Sequence, residues 1–241
     1  MAQVDSSRVP DSGPTVASRG TMMSGLAVVD AARKLRERID AVAADLGISK
    51  QDIPSKMTKI AETFWLGNLD PAVEGWGKAA PVDWDAETGL GNAYMVYAYA
   101  THIAEVEIDM ATGEVSVEEF VAVHDSGKIV NRQLATGQVE GGVAQGLGFA
   151  LMEEIPQKDG KLLTSGFTTY RIPTIRDVAP NTQVDFVEAV FPYGPYGAKG
   201  LGEVPLMASH TAVSRAIAHA LKVDVNTYPL SPDRVRAITQ S

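Results

Sequence analysis

Tyr196-Gly197-Ala198-Lys199-Gly200-Leu201-Gly202-Glu203-Val204-Pro205-Leu206 is the stretch on which the reading of the whole chain turns. Three glycines fall within six residues and lead into one carboxylate. Glycine accepts positive φ and lets another backbone or a ligand approach closely, so the run predicts a tight loop against something bulky. Pro205 lacks an N–H and restrains Glu203-Val204 toward extended geometry, so a helix is expected only after it, near Ser209. The spacing Gly197-x-x-Gly200-x-Gly202 fits neither a dinucleotide fingerprint nor a P-loop. On spacing alone two readings stand: a glycine-rich turn with a solvated glutamate, or a stiff segment that holds Glu203 as an acid or base.

Two further stretches are unusual in the same way. From Thr136 to Glu154 the sequence is TGQVEGGVAQGLGFALMEE. Each of its glycines would cost about 1 kcal/mol in an exposed helix relative to Ala. Yet Val139, Val143, Leu147, Ala150 and Leu151 keep helical spacing, so close approach of a neighbouring helix explains most of these glycines. Gln138 stands apart because its amide offers both donors and an acceptor. Near the start, Asp11 to Thr21 reads DSGPTVASRGT, with hydroxyls and amides placed just before a helix. Such a helix N-terminus suits a phosphate, while residues 1–20 read equally as an unstructured N-terminal segment.

In this order the three stretches resemble the pterin-phosphate loop, the glycine-rich helix over the cofactor and the glutamate loop of one family. It is the large, molybdenum-binding subunit of the xanthine dehydrogenase/aldehyde oxidase family. Asp125-Ser-Gly127 and Phe167 to Pro173 match it as well. The resemblance covers only the C-terminal part of that subunit. It implies an α+β fold, the C-terminal molybdopterin-binding domain of a molybdenum hydroxylase, with mixed helices and sheets around a central hairpin. Residues 1–241 would be the C-terminal half of that domain, with 1–75 holding the pterin-phosphate loop and helices. Residues 76–241 would hold the hairpin, the glycine-rich helix and the glutamate loop.

What the resemblance implies for individual residues is specific. Glu203 becomes the catalytic base, and Ala17, Ser18, Thr21, Gln138, Lys199, Gly200 and Gly202 become cofactor-binding. Val16 and Ala17 face the substrate side, where xanthine-type members carry two alanines. Enclosed by Gly200, Gly202 and Pro205, Glu203 is expected to be desolvated, which strengthens a carboxylate as a base. The implied cofactor is a molybdenum-pyranopterin, in the cytosine dinucleotide form common among bacterial relatives. The metal would be held by the pterin and not by side chains. The implied reaction hydroxylates an electron-poor carbon, as in nicotinate or a purine, with water as the oxygen source. An aldehyde-oxidising member and a non-catalytic scaffold that kept the fold are the alternatives, with an unrelated glycine-loop binding module behind them. The implied partners are a chain carrying the N-terminal half of the subunit, an iron–sulfur subunit with [2Fe-2S] clusters and a flavoprotein with FAD. Met1 directly precedes a family linker, which suits a large subunit split in two, as in nicotinate dehydrogenases.

Composition narrows the classes independently. A net charge of −9 with no basic run argues against a nucleic-acid surface. No run of 18 apolar residues and no charged-then-apolar leader is present, so cytoplasmic residence is the default expectation. With no cysteine, the chain supplies no disulfide, thiolate zinc site, iron–sulfur ligand or thiol nucleophile. His102, His124, His210 and His219 are scattered without metal-ligand spacing and read as surface or strand residues. The periodicity predicts an amphipathic helix over 24–46, stopped by Gly47, and a short helix over 54–65. A hairpin is expected from 93–109 and 115–124, a strand over 184–191 and a last long helix over 208–221. Trp76 and Trp84 are assigned to core packing or to contact with a partner chain.

Overall fold

The computed structural model describes Asp5, Ser7, Val9 and residues 11–240; the rest of the polar N-terminal segment and Ser241 lie outside the described residues. The chain divides into two compact units, Met1–Gly77 and Lys78–Ser241.

The first unit is helical. Helix α1 runs Gly20–Asp45, four residues earlier than its apolar period suggests, and ends as Gly47 takes φ +66. One 3-10 turn (Pro54–Lys56) then leads into α2 (Met57–Leu66). Val42, Ala43, Ile53, Ile60 and Phe64 form its small core. The polar side of α1 is laced by exposed pairs such as Arg33–Glu37 and Arg36–Asp40, which solvent screens strongly. The chain returns along α1 as a bare extended segment. Lys34 donates to the Glu74 carbonyl, Arg38 to those of Asp70 and Ala72, and Asp30 accepts from the Trp76 amide. A Cβ at Gly75 would lie 1.9 Å from the Ala27 carbonyl oxygen, so only glycine permits this approach. Trp76 itself is 67% exposed and fills no core in this unit.

The second unit is built on one hairpin. Two short ribbon strands, β1 (Asp83–Asp85) and β2 (Leu90–Asn92), precede it. Strands β3 (Tyr99–Ile108) and β4 (Val115–Asp125) pair antiparallel, and β3 starts later than the Tyr/Ala run suggested. Helix α3 (Arg132–Leu151) follows, then the small hairpin β5 (Gln157–Lys158) and β6 (Lys161–Leu162). Strand β7 (Asn181–Val187) joins parallel to β4, three residues before the expected position, giving the sheet order β3-β4-β7. Helices α4 (Val204–Leu221) and α5 (Pro232–Thr239) complete the unit.

The hydrophobic core forms between this sheet and helices α3 and α4, around Phe120, Ala122, Val139, Val143, Leu147, Val213 and Ile217. Val117 and Phe120 both face it although three positions separate them. A β-bulge makes this possible: Glu105 pairs with Glu119 but Val106 with Val117, so Glu118 is the extra residue. One extra residue reverses the alternation of all that follows. Consequently Phe120, Ala122 and His124 turn to the helix side.

Helix α4 corrects the expected start at Ser209. It begins at Val204, with Glu203 as N-cap residue at φ −98, ψ −23. Pro205 falls in the first turn, where its missing N–H costs nothing and its fixed φ suits a helix. The proline therefore opens the helix and does not delay it.

Candidate active site

The glutamate loop is stitched onto the end of β4. The amides of Lys128 and Phe191 both donate to the Gly197 carbonyl, at 2.9 and 3.1 Å, and the Lys199 amide donates to Ser126 at 2.9 Å. Gly127 and Ala198 form an isolated antiparallel bridge. The two backbones are so close that a Cβ on Gly127, at φ +62, would sit 2.2 Å from the Gly197 oxygen. Tyr196 holds φ +53, a conformation that costs a non-glycine residue on the order of 1 kcal/mol and marks a position fixed by its surroundings.

Lys199 lies inside this junction. Its ammonium meets Asp125 at 2.6 Å, with the two side chains 9% and 11% exposed, and also donates to the Tyr97 carbonyl. A buried pair with an added hydrogen bond tolerates loss of neither partner. The side chain expected at the cofactor is thus turned inward as an anchor of the loop.

Glu203 follows four residues later and is exposed, as is Gly202, while Gly200 is half-buried. The expectation of an enclosed carboxylate fails here because the flanking glycines have no side chains to wall it in. What is fixed is its backbone: the loop is pinned before it and Pro205 is buried just after it.

Helix α3 packs on that second anchor. A Cβ on Gly142 would lie 2.5 Å from Pro205 Cβ, and one on Gly146 would lie 2.3 Å from Ser209 Cβ. Both pairs advance in the same sense along the chain. The helices therefore run side by side in parallel, with Gln138 and Glu203 toward the same end. Asn131 caps α3 by accepting from the Leu134 amide. On the open side of α3, Gln138, Gly137 and Gly141 are exposed, and a Cβ at either glycine would meet nothing within 4 Å. This is an open face of the helix with one amide on it. Glu153 accepts from the Tyr170 hydroxyl and Glu154 pairs with Arg234, so both are engaged in holding the fold.

In the first unit, Val16, Ala17, Ser18 and Thr21 sit at the entry to α1. Ala17 and Ser18 both take positive φ (51 and 57), and the Arg19 amide donates to Val16. Thr21 is inside the first helical turn, which carries no acidic residue and no side-chain cap. No acidic side chain in that turn opposes the positive end of the helix dipole. Val16 is 56% exposed and Thr21 exposed.

One cluster escaped the sequence reading. His102 on β3 and His124 on β4 meet at 2.8 Å between their Nε2 atoms, and His102 Nδ1 lies 3.2 Å from Ser209 Oγ on α4. Burial, aided by the neighbouring His124, pushes the His102 pKa down to about 4, and burial lowers that of His124 as well. The bulge sets their register: His102 faces Ala122, and His124 is two residues further along the same face. Among the described residues no three His, Asp or Glu side chains are grouped to hold a metal ion. None of the described helices is long and apolar enough to cross a membrane.

Comparison with known proteins gives a consistent result. Residues 1–179 match the family described as Molybdopterin cofactor-binding domain. The chain is 30% identical over 259 residues to xanthine dehydrogenase 2 of Arabidopsis thaliana, covering 98% of this chain and 18% of that protein. It is 30% identical over 249 residues to the 6-hydroxypseudooxynicotine dehydrogenase complex subunit gamma of Paenarthrobacter nicotinovorans, covering 96% and 31%. The crystal structure of the aldehyde oxidoreductase from Desulfovibrio desulfuricans superposes with a TM-score of 0.79 at 32% identity, covering 96% of this chain and 24% of that one. The chain thus spans between about a fifth and a third of the length of such relatives.

Proposed function

Because the chain belongs to the xanthine dehydrogenase/aldehyde oxidoreductase family and carries its molybdopterin cofactor-binding domain, we propose that it is the glutamate-bearing part of a molybdenum hydroxylase. The observation that supports this is the placing of Glu203: an exposed carboxylate on a backbone held from both sides, by the β4 junction and by buried Pro205. When bound, the molybdenum–pterin supplies the electron sink for hydroxylating an electron-poor carbon with water as the oxygen source. The chain's own share is binding, orientation and proton transfer. Glu203 accepts the proton of the water-derived nucleophile at a carboxylate oxygen. Gln138 offers its amide to the pterin edge from the glycine ledge, and Gly200 and Gly202 let the loop approach the cofactor closely. Lys199 serves the same site by anchoring that loop to Asp125. In the first unit, Ser18, Thr21 and the first turn of α1 take a phosphate of the cofactor, in the cytosine dinucleotide form, and Val16 and Ala17 line the substrate side.

The substrate class we assign is an N-heteroaromatic carbon, as in nicotinate or a purine, in keeping with the xanthine and pseudooxynicotine named for two relatives. The aldehyde oxidoreductase likeness favours an aldehyde as the second reading. The missing length would come from further polypeptide carrying the other half of the molybdenum site, with [2Fe-2S] and FAD on partner subunits. The pseudooxynicotine relative is itself named as one subunit of a complex.

The test is Glu203→Gln in the assembled enzyme. The amide keeps volume and hydrogen bonding, so assembly and cofactor content should persist, while anaerobic reduction by substrate slows roughly 10²–10⁴-fold with little change in affinity. Running nicotinate, xanthine and an aldehyde in parallel distinguishes the two substrate readings. A variant reduced as fast as wild type would remove Glu203 from the chemistry.

A further inference from the structure

The His102–His124–Ser209 cluster has a proton order dictated by its acceptors. Ser209 Oγ lies 2.6 Å from the Pro205 carbonyl, which can only accept, so the hydroxyl proton points there. Ser209 Oγ must then accept from His102 Nδ1, which carries the hydrogen. His102 Nε2 is left as a lone pair, and it is 2.8 Å from His124 Nε2, which must donate. The remaining atom, His124 Nδ1, is a bare lone pair, buried and without a hydrogen-bond partner among the described residues. Every hydrogen in the chain of bonds runs one way: His124 to His102, His102 to Ser209, Ser209 to Pro205.

Burial disfavours a charged ring in this arrangement. A proton added to His102 Nε2 would set N–H against N–H unless His124 moved its own hydrogen to the buried Nδ1. The charged groups nearby do not favour one either. Arg215 of α4 borders the same groove as His102, and Asp125, next to His124, is already paired with Lys199. Both imidazoles stay neutral, consistent with their lowered pKa values.

Such a cluster is unnecessary for packing, since Ala122 and Phe120 fill the same face of β4 without polar atoms. Its position is what distinguishes it. It ends on the carbonyl of Pro205, two residues after Glu203, in the first turn of α4. Gly142 of α3 presses the same turn at Pro205, and Gly146 presses Ser209 one turn further along. The start of α4 is therefore held both by a helix face without side chains and by a polar strut rising from the sheet.

We propose that His102 and His124 are positioning residues for Glu203, a neutral one-way strut that fixes the first turn of α4 and so the direction in which the carboxylate is presented. This rests on the reading of Glu203 as the base. The strut touches neither substrate nor cofactor; it acts through Ser209 and Pro205. A base displaced by about 1 Å loses on the order of 10²-fold in rate, so the effect belongs in the chemical step and not in binding.

The experiment uses the assembled enzyme and four variants: His102→Leu, His102→Gln, Glu203→Gln and the His102→Leu/Glu203→Gln double. Each is measured by molybdenum content, KM and anaerobic reduction rate. His102→Leu should keep its molybdenum and KM but reduce about ten- to a hundredfold more slowly. His102→Gln, whose amide keeps one donor and one acceptor, should recover most of that rate. The double variant should be no slower than Glu203→Gln alone, because a strut acting through the glutamate has nothing left to position. A His102→Leu enzyme as fast as wild type overturns the proposal. So does a glutamine variant as slow as the leucine one, a rate loss that only follows lost molybdenum, or a multiplicative loss in the double variant. If His102→Leu does not assemble, Ser209→Ala is read by the same criteria, since it keeps the Cβ that packs on Gly146. Glu203→Gln at wild-type speed removes the glutamate reading itself. A slow Glu203→Gln beside a fast His102→Leu removes only the histidines.

Discussion

The two sides of helix α3 carry glycines for opposite reasons. On the buried side, a side chain at Gly142 or Gly146 would run into Pro205 or Ser209. On the exposed side, Gly137 and Gly141 have open space where a side chain would go. A buried glycine stabilises this chain by letting α4 approach; an exposed one costs helix stability, about 1 kcal/mol against Ala, and among the described residues nothing packs where its side chain would go. The contrast separates glycines explained by packing from a pair that, on the proposed reading, serves a ligand on the side where Gln138 stands.

The largest effect should come from filling the buried side. Gly146→Val places its Cβ 2.3 Å from Ser209 Cβ and 3.2 Å from the His210 amide nitrogen, which is backbone and cannot rotate away. We expect a loss of about 3 kcal/mol, the upper end for overpacking, with α4 displaced and assembly impaired. A variant with unchanged thermal stability would show that the α3–α4 approach is looser than described. Gln138→Ala comes next and addresses the exposed side alone. It should leave the helix intact but weaken cofactor retention by about 1–3 kcal/mol, the cost of an unpaired polar group. Full molybdenum content after dialysis, together with unchanged activity, would remove Gln138 from the cofactor surface.

The same contrast marks how far the sequence could be read. Five glycines on a helical apolar period announced α3, because no exposed helix keeps so many without reason, and the hairpin and Glu203 loop were equally legible from turn residues and spacing. Which glycines were buried was not, since that depends on where Pro205 and Ser209 of α4 fall, over 60 residues later. The start of α4 was misread because Pro205 obeys two rules: it disfavours helix before it and favours helix at its own position. The histidine pair was hidden by a single residue. Counting back from the Ile108–Val115 pair without the bulge would set His102 opposite Val121 and turn His124 to the other face of the sheet. Only the extra residue at Glu118 brings both rings together, and no local pattern in the strand announces it. Lys199 was legible as part of the loop, but its ion pair with Asp125 joins residues 74 positions apart.

The smallest change is the most discriminating, because it should move two measurements in opposite directions. Gly141→Ala adds one methyl on the open side of α3, where nothing lies within 4 Å and no positive φ is required. Taken alone, the helix should gain about 1 kcal/mol, or roughly 2–4 °C in Tm for a domain of this size. If the ledge beside Gln138 lies against a flat ligand, the same methyl stands in the ligand's way, and molybdenum content of the assembled enzyme should fall as stability of the chain rises. Gly142→Ala should do the reverse in the first respect, losing stability because its Cβ is 2.5 Å from Pro205. A glycine kept only by chance would show the gain in Tm without the loss of cofactor. That result would end the case for a contact surface on this side of α3, while leaving the buried glycines and the α4 anchor of Glu203 untouched.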